Sequence, residues 1–278
     1  MTPSNAMAPA LTQLWPRPAY QADLEPHFLF IITPPYSGST ALAKILNTGS
    51  GTMLLHRRGE GQWLIPGLCE GDRWSPSKYV DYESVRAVWL ARFQQRRQAR
   101  RDLQVVIEKS PPNIVRIRPL VAQFRSHSLL ANNRNPFANC ASRLFRDRRS
   151  GGLSCDERLA SLTQLVNSWL EVSRLMRELI VEMNIPLVTY EAFCSDPGIL
   201  IDKLQLPGPV IRDINLGARI KVKDYAPAPI ADKNAEQLNR LTANEVEHIA
   251  LELRRNAEDG LLAFFGYSAE IPDYYLPR

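Results

Sequence analysis

The sequence lacks several features that define specialised classes of protein. Its four cysteines, Cys69, Cys140, Cys155 and Cys194, are far apart and form no Cys-x-x-Cys pair. Neither a zinc site nor a disulfide framework is therefore indicated, and we expect reduced thiols in a cytoplasmic protein. No run of eighteen apolar residues occurs, and the N-terminus lacks the basic-then-apolar pattern of a signal peptide. We expect no membrane anchor.

Internal repeats and low-complexity tracts are also missing, and the 21 prolines outnumber the 14 glycines. This proline content fits many loops and excludes a long coiled coil. Of the 278 residues, 45% are hydrophobic and 23% are charged, a composition that excludes global disorder and permits a full core. The 34 basic and 29 acidic residues leave a net charge of +5, which indicates an anionic ligand or partner.

Apolar runs alternate with amphipathic segments along the chain. Strands buried on both faces of a sheet are predicted at 27–32, 103–107, 126–131 and 186–190. Helices are predicted at 41–46, 83–101, 113–124, 136–145, 156–183 and 242–255. This alternation predicts an α/β fold with a mostly parallel sheet. We expect a flexible, proline-containing arm over 1–25 and one domain over 26–278.

A turn rich in small hydroxyl residues follows the first predicted strand. Ser37-Gly38-Ser39-Thr40 lies between that strand and a helix, an arrangement that binds phosphate through backbone N–H groups and the helix dipole. Gly38 permits close approach of the backbone to a ligand. The Walker A pattern is absent, so a kinase or NTPase of that class is not indicated. An ordinary turn with a capping serine is the alternative.

A second segment, Arg134-Asn-Pro-Phe-Ala-Asn-Cys-Ala-Ser142, follows the third predicted strand. Alone, the arginine could be a capping or salt-bridging residue and the serine a packing residue. Together with the first turn, however, the segment resembles the two-part cofactor site of sulfotransferases that use 3′-phosphoadenosine 5′-phosphosulfate (PAPS). In that family a Pro-(Lys/Arg)-Ser-Gly-Thr-Thr loop holds the 5′-phosphosulfate, and Arg-(Asp/Asn)-Pro…Ser holds the 3′-phosphate.

Two further segments extend the resemblance. Ile107-Glu-Lys-Ser-Pro-Pro-Asn113 is similar to the Glu-Lys-Thr-Pro segment of bacterial and Golgi-type members, and Val188-Thr-Tyr-Glu-Ala-Phe is similar to their Tyr-Glu-Asp-Leu segment. The four motifs occur in the family's order over residues 28–197. The resemblance implies a P-loop-like three-layer fold with a central, mostly parallel sheet flanked by helices. It also implies PAPS as donor, 3′-phosphoadenosine 5′-phosphate (PAP) as product, and no metal.

The resemblance carries over to individual residues. It assigns the 5′-phosphosulfate to the loop Tyr36, Ser37, Gly38, Ser39, Thr40 and Ala41, and the 3′-phosphate to Arg134 and Ser142. Tyr36 departs from the pattern, because the family has a Lys or Arg there that neutralises charge on the bridging oxygen. Lys109 is the best substitute, since it ends a parallel strand at the ligand-binding edge. A surface lysine is the alternative reading.

The base that accepts the proton of the acceptor is the least defined part of the site. Glu60 precedes Leu64-Ile-Pro66 in a way that resembles the catalytic glutamate of tyrosylprotein sulfotransferases, although one residue out of register. His56 is the rival, and either could be a solvated loop residue. Glu108 is disfavoured because its neighbour Lys109 should face the opposite side of the strand.

Three further residues are assigned to the cofactor by the resemblance. Tyr190 would contact the adenine edge, or it is an aromatic residue that closes the end of the sheet. Lys221 and Lys223 would form a basic loop over the cofactor, or a solvated loop. We expect segments 56–82 and 146–156 to line the acceptor pocket. The acceptor is a small molecule, a glycan, a lipid or a peptide; the sequence does not distinguish them.

Arginines also cluster at the end of the helix 83–101, beyond its apolar stripe, and we expect them to project into water. They are Arg92, Arg96, Arg97, Arg100 and Arg101. With Arg143, Arg146, Arg148 and Arg149 they suggest an alternative, a nucleic-acid-binding protein. The modest net charge and the lack of a recognised nucleic-acid module argue against it. A further alternative, prompted by Tyr36, is a catalytically weak adenine-nucleotide-binding protein of the same fold.

Overall fold

A computed structural model describes residues 25–146, 152–222 and 225–276. The predicted arm lies outside the described residues except for Glu25, and so does Lys223. The strands are β1 His27–Ile32, β2 Thr52–Leu54, β3 Val105–Glu108, β4 His127–Asn133 and β5 Leu187–Thr189. They form one sheet in the order β2-β3-β1-β4-β5, in which every neighbouring pair is parallel. The predicted α/β class with a central parallel sheet is confirmed.

Helices cover both faces of this sheet. Those that the structure describes are α1 Ser39–Leu46, α2 Tyr82–Ala99, α3 Ile117–Val121, α4 Pro136–Leu144, α5 Cys155–Met183, α6 Tyr190–Ser195, α7 Ile199–Lys203, α8 Gly208–Arg212, α9 Asn234–Leu238, α10 Ala243–Asn256 and α11 Leu261–Phe264. Two short 3₁₀-helices span Gly61–Leu64 and Pro111–Arg116. None of the described helices is both long enough and apolar enough to cross a bilayer.

The alternation of side chains along β1 explains the layers. Phe28 and Phe30 pack with Trp89 of α2 and Phe124 on one face of the sheet, where α4, α5 and α10 also contribute to the core. Leu29 and the residues that share its face pack against α1, α6, α7 and α8. Because successive side chains of a strand point to opposite faces, a continuous apolar run serves both cores.

Three local predictions differ from the structure. The helix expected at 113–124 is a 3₁₀-helix followed by the short α3, because prolines 111, 112 and 119 lack the N–H that a continuous α-helix needs. Tyr190 starts α6 rather than ending β5, since the Thr189 side chain accepts from Ala192 N at 3.2 Å and caps the helix. β2 is three residues long and was not predicted.

The carboxyl ends of β1, β3 and β4 meet at one edge of the sheet. In the register, Phe30 lies beside Glu108, and Ile32 lies beside Ala131. The segments that leave these strands carry the hydroxyl-rich turn, Lys109 and Arg134 respectively. The chain therefore brings three predicted motifs to the edge at which ligands of open α/β sheets bind.

Candidate functional site

The turn after β1 has two residues in the left-handed region of backbone space. Tyr36 has φ 65° and Gly38 has φ 78°. Gly38 is the N-cap of α1, and no side chain among the described residues caps this helix; Ala41 N donates to Gly38 O at 2.8 Å. The N–H groups of Ser39 and Thr40, which come before this bond, have no intrahelical acceptor. They give this turn a positive end that suits an anion.

Gly38 is required by close packing as well as by its backbone angle. A Cβ placed there would lie 2.2 Å from Cδ2 of Tyr190. Tyr190 is buried, and its hydroxyl donates to Ala231 O at 3.2 Å and accepts from Lys233 N at 3.0 Å. The Tyr190 ring therefore packs directly against Gly38 of the turn. Its contact with the adenine edge stays a prediction.

Arg134 lies beside this turn, at the end of β4, and is 5% exposed. Its Nη1 donates to Tyr36 O at 3.1 Å, its Nε donates to Asn234 Oδ1 at 2.8 Å, and its guanidinium carbon is 4.4 Å from the centroid of the Tyr190 ring. Within the described part of the chain, Nη2 is buried without a hydrogen-bond partner, and no carboxylate forms an ion pair with Arg134. A buried cation without a counter-charge is costly unless a ligand supplies one.

A network from distant parts of the chain holds Arg134 in place. Asn234 Nδ2 donates to Glu191 Oε1 at 2.7 Å, and Tyr267 OH donates to Glu191 Oε2 at 2.8 Å. Glu191 Oε1 also accepts from Asn135 N at 3.0 Å. Glu191 lies in the fourth motif, but the sequence analysis gave it no role. Asn234 lies 100 residues from Arg134 and had no local signal.

Helix α4 connects the two motifs. Asn139 Nδ2 donates to Pro35 O at 2.8 Å and lies 3.2 Å from Ser37 Oγ. Ser142 is half-buried in the same helix, three residues further on and therefore on the same face. The sequence analysis singled out Ser142 but missed Asn139, which makes the direct contact with the turn.

Lys109, Thr40 and Glu60 come together at the carboxyl end of β3. Lys109 is 2% exposed, and its Nζ lies 3.2 Å from Thr40 Oγ1 and 3.3 Å from Glu60 Oε1. Burial lowers the pKa of Lys109, and the nearby carboxylate of Glu60 opposes that effect. Glu60 Oε2 also accepts from Trp63 Nε1 at 3.2 Å and from Arg73 Nη2 at 3.3 Å. A surface position for Lys109, the alternative reading of the sequence, is wrong.

Glu108 faces away from this group. Its Oε2 accepts from Gly61 N at 2.6 Å and its Oε1 accepts from Asn113 Nδ2 at 3.0 Å. Burial raises the pKa of Glu108 to about 7, with the hydrogen bonds opposing it. The side chain is buried at 1% exposure, so it supports the loop of Glu60 from inside the protein.

His56 and Lys221 line a separate cleft beside α1 and α2. Lys44 Nζ donates to Lys221 O there. The pKa of His56 is lowered mainly by burial and, to a smaller extent, by the charges of Arg57 and Arg58. Arg96 and Arg100 are exposed, as expected for arginines at the end of this helix, and Arg92 is half-buried. All three line this cleft.

Comparisons with known proteins were made for the whole chain. No protein-family profile matches it, and no curated protein matches it. It resembles a sulfotransferase from Alicyclobacillus acidocaldarius (15% identity, 88% of this chain and 97% of the other, TM-score 0.47). It also resembles the sulfotransferase domain of the curacin biosynthetic pathway (18%, 89% and 99%, TM-score 0.44) and that of the Synechococcus PCC 7002 olefin synthase (16%, 96% and 94%, TM-score 0.41). All three of these proteins are sulfotransferases.

Proposed function

We propose that the protein is a sulfotransferase that takes a sulfuryl group from PAPS and transfers it to a hydroxyl or amine acceptor. The observation that carries the proposal is the guanidinium of Arg134, which is buried beside the turn after β1 without a carboxylate partner among the described residues. Two adjacent positive subsites, the start of α1 and this guanidinium, suit a ligand with two separate anionic groups.

The residues present fit such a donor. The backbone N–H groups and hydroxyls of Ser37, Ser39 and Thr40 would hold its 5′-phosphosulfate, and Arg134 with Ser142 would hold its 3′-phosphate. The unpartnered Nη2 of Arg134 would gain an acceptor from that phosphate. When bound, PAPS supplies the activated sulfuryl group, and no metal is needed for this role.

Lys109 and Glu60 are the two residues to which we assign catalytic roles. The ammonium of Lys109, 3.2 Å from Thr40 Oγ1, adds the positive charge that Tyr36 cannot supply. The Glu60 carboxylate, 3.3 Å from that ammonium, takes the proton of the acceptor hydroxyl. We favour Glu60 over His56 because its carboxylate contacts Lys109, whereas His56 lies in the neighbouring cleft.

The test is calorimetric titration with PAP, ADP and AMP. PAP differs from AMP only by the 3′-phosphate, and ADP has as many phosphate groups as PAP but carries both at the 5′ position. We expect PAP to bind roughly 10- to 100-fold more tightly than ADP, since charge-assisted hydrogen bonds to the 3′-phosphate contribute about 1.5–3 kcal/mol. Equal affinity for the two nucleotides would overturn the proposal.

Two variants test whether Arg134 causes the preference for PAP. Arg134→Lys keeps a positive charge but loses the forked geometry, so the preference for PAP over ADP should shrink about tenfold. Arg118→Lys is the matched control, because Arg118 pairs with Glu182 at the surface. An unchanged preference in Arg134→Lys, with the fold verified by circular dichroism, would contradict the assignment of Arg134.

A second candidate function follows from Tyr36. A protein of this fold without the usual basic residue in the loop could bind the nucleotide without transferring the sulfuryl group. Lys109 beside Thr40 favours the enzyme. Tight PAP binding with no PAP release from PAPS across a panel of alcohol, phenol and amine acceptors would favour the nucleotide-binding protein instead.

A further inference from the structure

A wide basic cleft runs beside β2, an edge strand of the described sheet. Its volume is about 750 Å³, which is within the range of sites that take small organic ligands. Its lining comes from the end of α1 and the residues that follow it, from residues 53–57, from the C-terminal end of α2, and from residues 220–221. The cleft is a distinct feature from the turn after β1, since none of residues 36–41 lines it.

The charged residues that line this cleft are all positive. Its cationic lining residues are Lys44, Arg57, Arg92, Arg96, Arg100 and Lys221. The described residues that line it include no aspartate or glutamate. The pKa of Lys44 is lowered by burial and by the charge of Lys221, as expected where cations gather without a counter-charge. The charge of the lining therefore favours an anionic ligand.

Three of the arginines form a ladder at the C-terminal end of α2. Arg92 and Arg96 lie four residues apart on one face of the helix, and Arg100, four residues further on, is its C-cap residue. Arg100 Nη2 donates to Ser50 O at 2.9 Å and to Thr52 O at 3.2 Å, which fixes the end of the ladder. A ligand that contacts the whole ladder must be extended and carry several anionic groups.

The neutral residues of the lining help to distinguish among nucleic acids, acidic peptides and anionic saccharides as ligands. The described lining contains no phenylalanine, tyrosine or tryptophan, so nucleic-acid bases would find no aromatic surface to stack on. Arg100 Nη2 donates to the carbonyl oxygen of Thr52. A peptide strand added to the edge of β2 would need such a carbonyl as acceptor, so this contact obstructs strand addition. Asn47 also lines the cleft, and its side-chain amide can form hydrogen bonds with hydroxyl groups.

We propose that this cleft binds an anionic oligosaccharide, whose sulfate, phosphate or carboxylate groups contact the arginine ladder and whose hydroxyls contact Asn47. The segment from His56 to Glu60 joins the cleft to Lys109, since a Cβ at Gly59 would lie 3.4 Å from Lys109 Cε. Because His56 and Arg57 line the cleft, a saccharide bound there would lie next to the loop that carries Glu60. The role of the saccharide as sulfuryl acceptor rests on the proposed function. Its binding in the cleft does not depend on that function.

The experiment measures binding without nucleotide. A fluorescently labelled heparin-derived hexasaccharide is titrated with the protein at low and at physiological ionic strength, in parallel with its desulfated form, an oligothymidylate and a hexaglutamate peptide. We expect the sulfated saccharide to bind best and its affinity to fall with salt, because exposed charge contacts are screened. Tighter binding of the oligothymidylate or the peptide would overturn the proposal in favour of those ligands.

Paired variants locate the site. Arg92→Gln/Arg96→Gln should weaken saccharide binding about tenfold or more, since each exposed charge contact contributes up to about a factor of five. Arg97→Gln/Arg101→Gln removes the same charge from the same segment, outside the lining of the cleft, and should change the affinity less than about twofold. Equal losses in both pairs would show only non-specific attraction and would overturn the proposal.

Titration with PAP separates this inference from the proposed function. PAP should bind equally to the wild-type protein and to both pairs of variants. Loss of saccharide binding with intact PAP binding supports the cleft as a separate site. Absence of saccharide binding in a wild-type protein that binds PAP overturns the cleft assignment alone, whereas absence of PAP binding counts against the sulfotransferase.

Discussion

The backbone N–H of Gly61 donates to Oε2 of Glu108 at 2.6 Å. Gly61 directly follows Glu60, and its carbonyl accepts from Trp89 Nε1 at 3.1 Å. The loop that carries the proposed base is thus attached to the end of β3 on one side and to α2 on the other. A buried carboxyl group, rather than a surface contact, sets the position of Glu60.

The pKa of Glu108 predicts how stability depends on pH. Burial raises it from 4.5 to about 7 in the folded protein. The protein is therefore most stable, as far as Glu108 is concerned, below pH 4.5, where this carboxyl group is protonated in both the folded and the unfolded state. Stability falls as the pH rises from 4.5 through 7, because the unfolded state ionises first and the folded state must then hold a buried charge. Relative to Glu108→Gln, the free energy of unfolding of the wild-type protein should fall by about 3 kcal/mol across this window.

Urea unfolding at several pH values measures this difference. Glu70→Gln, at an exposed carboxylate of the same loop region, is the control and should follow the wild-type curve. Parallel curves for wild type and Glu108→Gln would contradict the raised pKa.

Gly61→Ala should destabilise the protein by about 1–3 kcal/mol through overpacking. A Cβ there would lie 2.6 Å from Glu108 Oε2 and 2.7 Å from Leu55 Cδ1. Gly208→Ala is the matched control, because its Cβ would meet no atom within 4 Å. Thermal denaturation of the two variants compares them directly, and similar midpoints would show that the loop accommodates the methyl group.

Glu60→Gln should lower the rate of transfer by about 10²–10⁴, the usual contribution of a general base. Its affinity for PAP should stay within about twofold of wild type, since Glu60 takes no part in the proposed nucleotide contacts. Product formation under single-turnover conditions measures the rate. His56→Gln is the comparison, and a larger loss in that variant would move the role of base to His56.

Tyr36→Lys should change the rate of transfer by less than about threefold, because the ammonium of Lys109 already stands beside Thr40. The backbone at this position stays in the left-handed region in either case, so the substitution adds little strain. Tyr36→Met controls for loss of the ring. A gain of about a hundredfold in Tyr36→Lys would mean that the wild-type site lacks a cation at the bridging oxygen.

The central strand and the hydroxyl-rich turn were readable from local sequence. Phe28 to Ile32 form one apolar run because both faces of β1 are buried, and the turn must follow that strand directly. The network of Asn234 and Glu191 was not readable, because its members are brought together only when the C-terminal part of the chain packs beside β4 and β5. The four-residue spacing of Arg92, Arg96 and Arg100 was visible in the sequence, but the other residues that line their cleft were not.

The sequence by itself determined the α/β class, the order of the motifs and the residue types at the edge of the sheet, since these depend on hydrophobic periodicity and on turn chemistry along the chain. The tertiary structure alone decided that Lys109 meets Glu60 and Thr40, that Arg134 is buried without a carboxylate partner among the described residues, and that Tyr190 packs on Gly38. These contacts join residues about 50 to 150 positions apart, and only the packing of the sheet and its helices brings such residues within hydrogen-bonding distance.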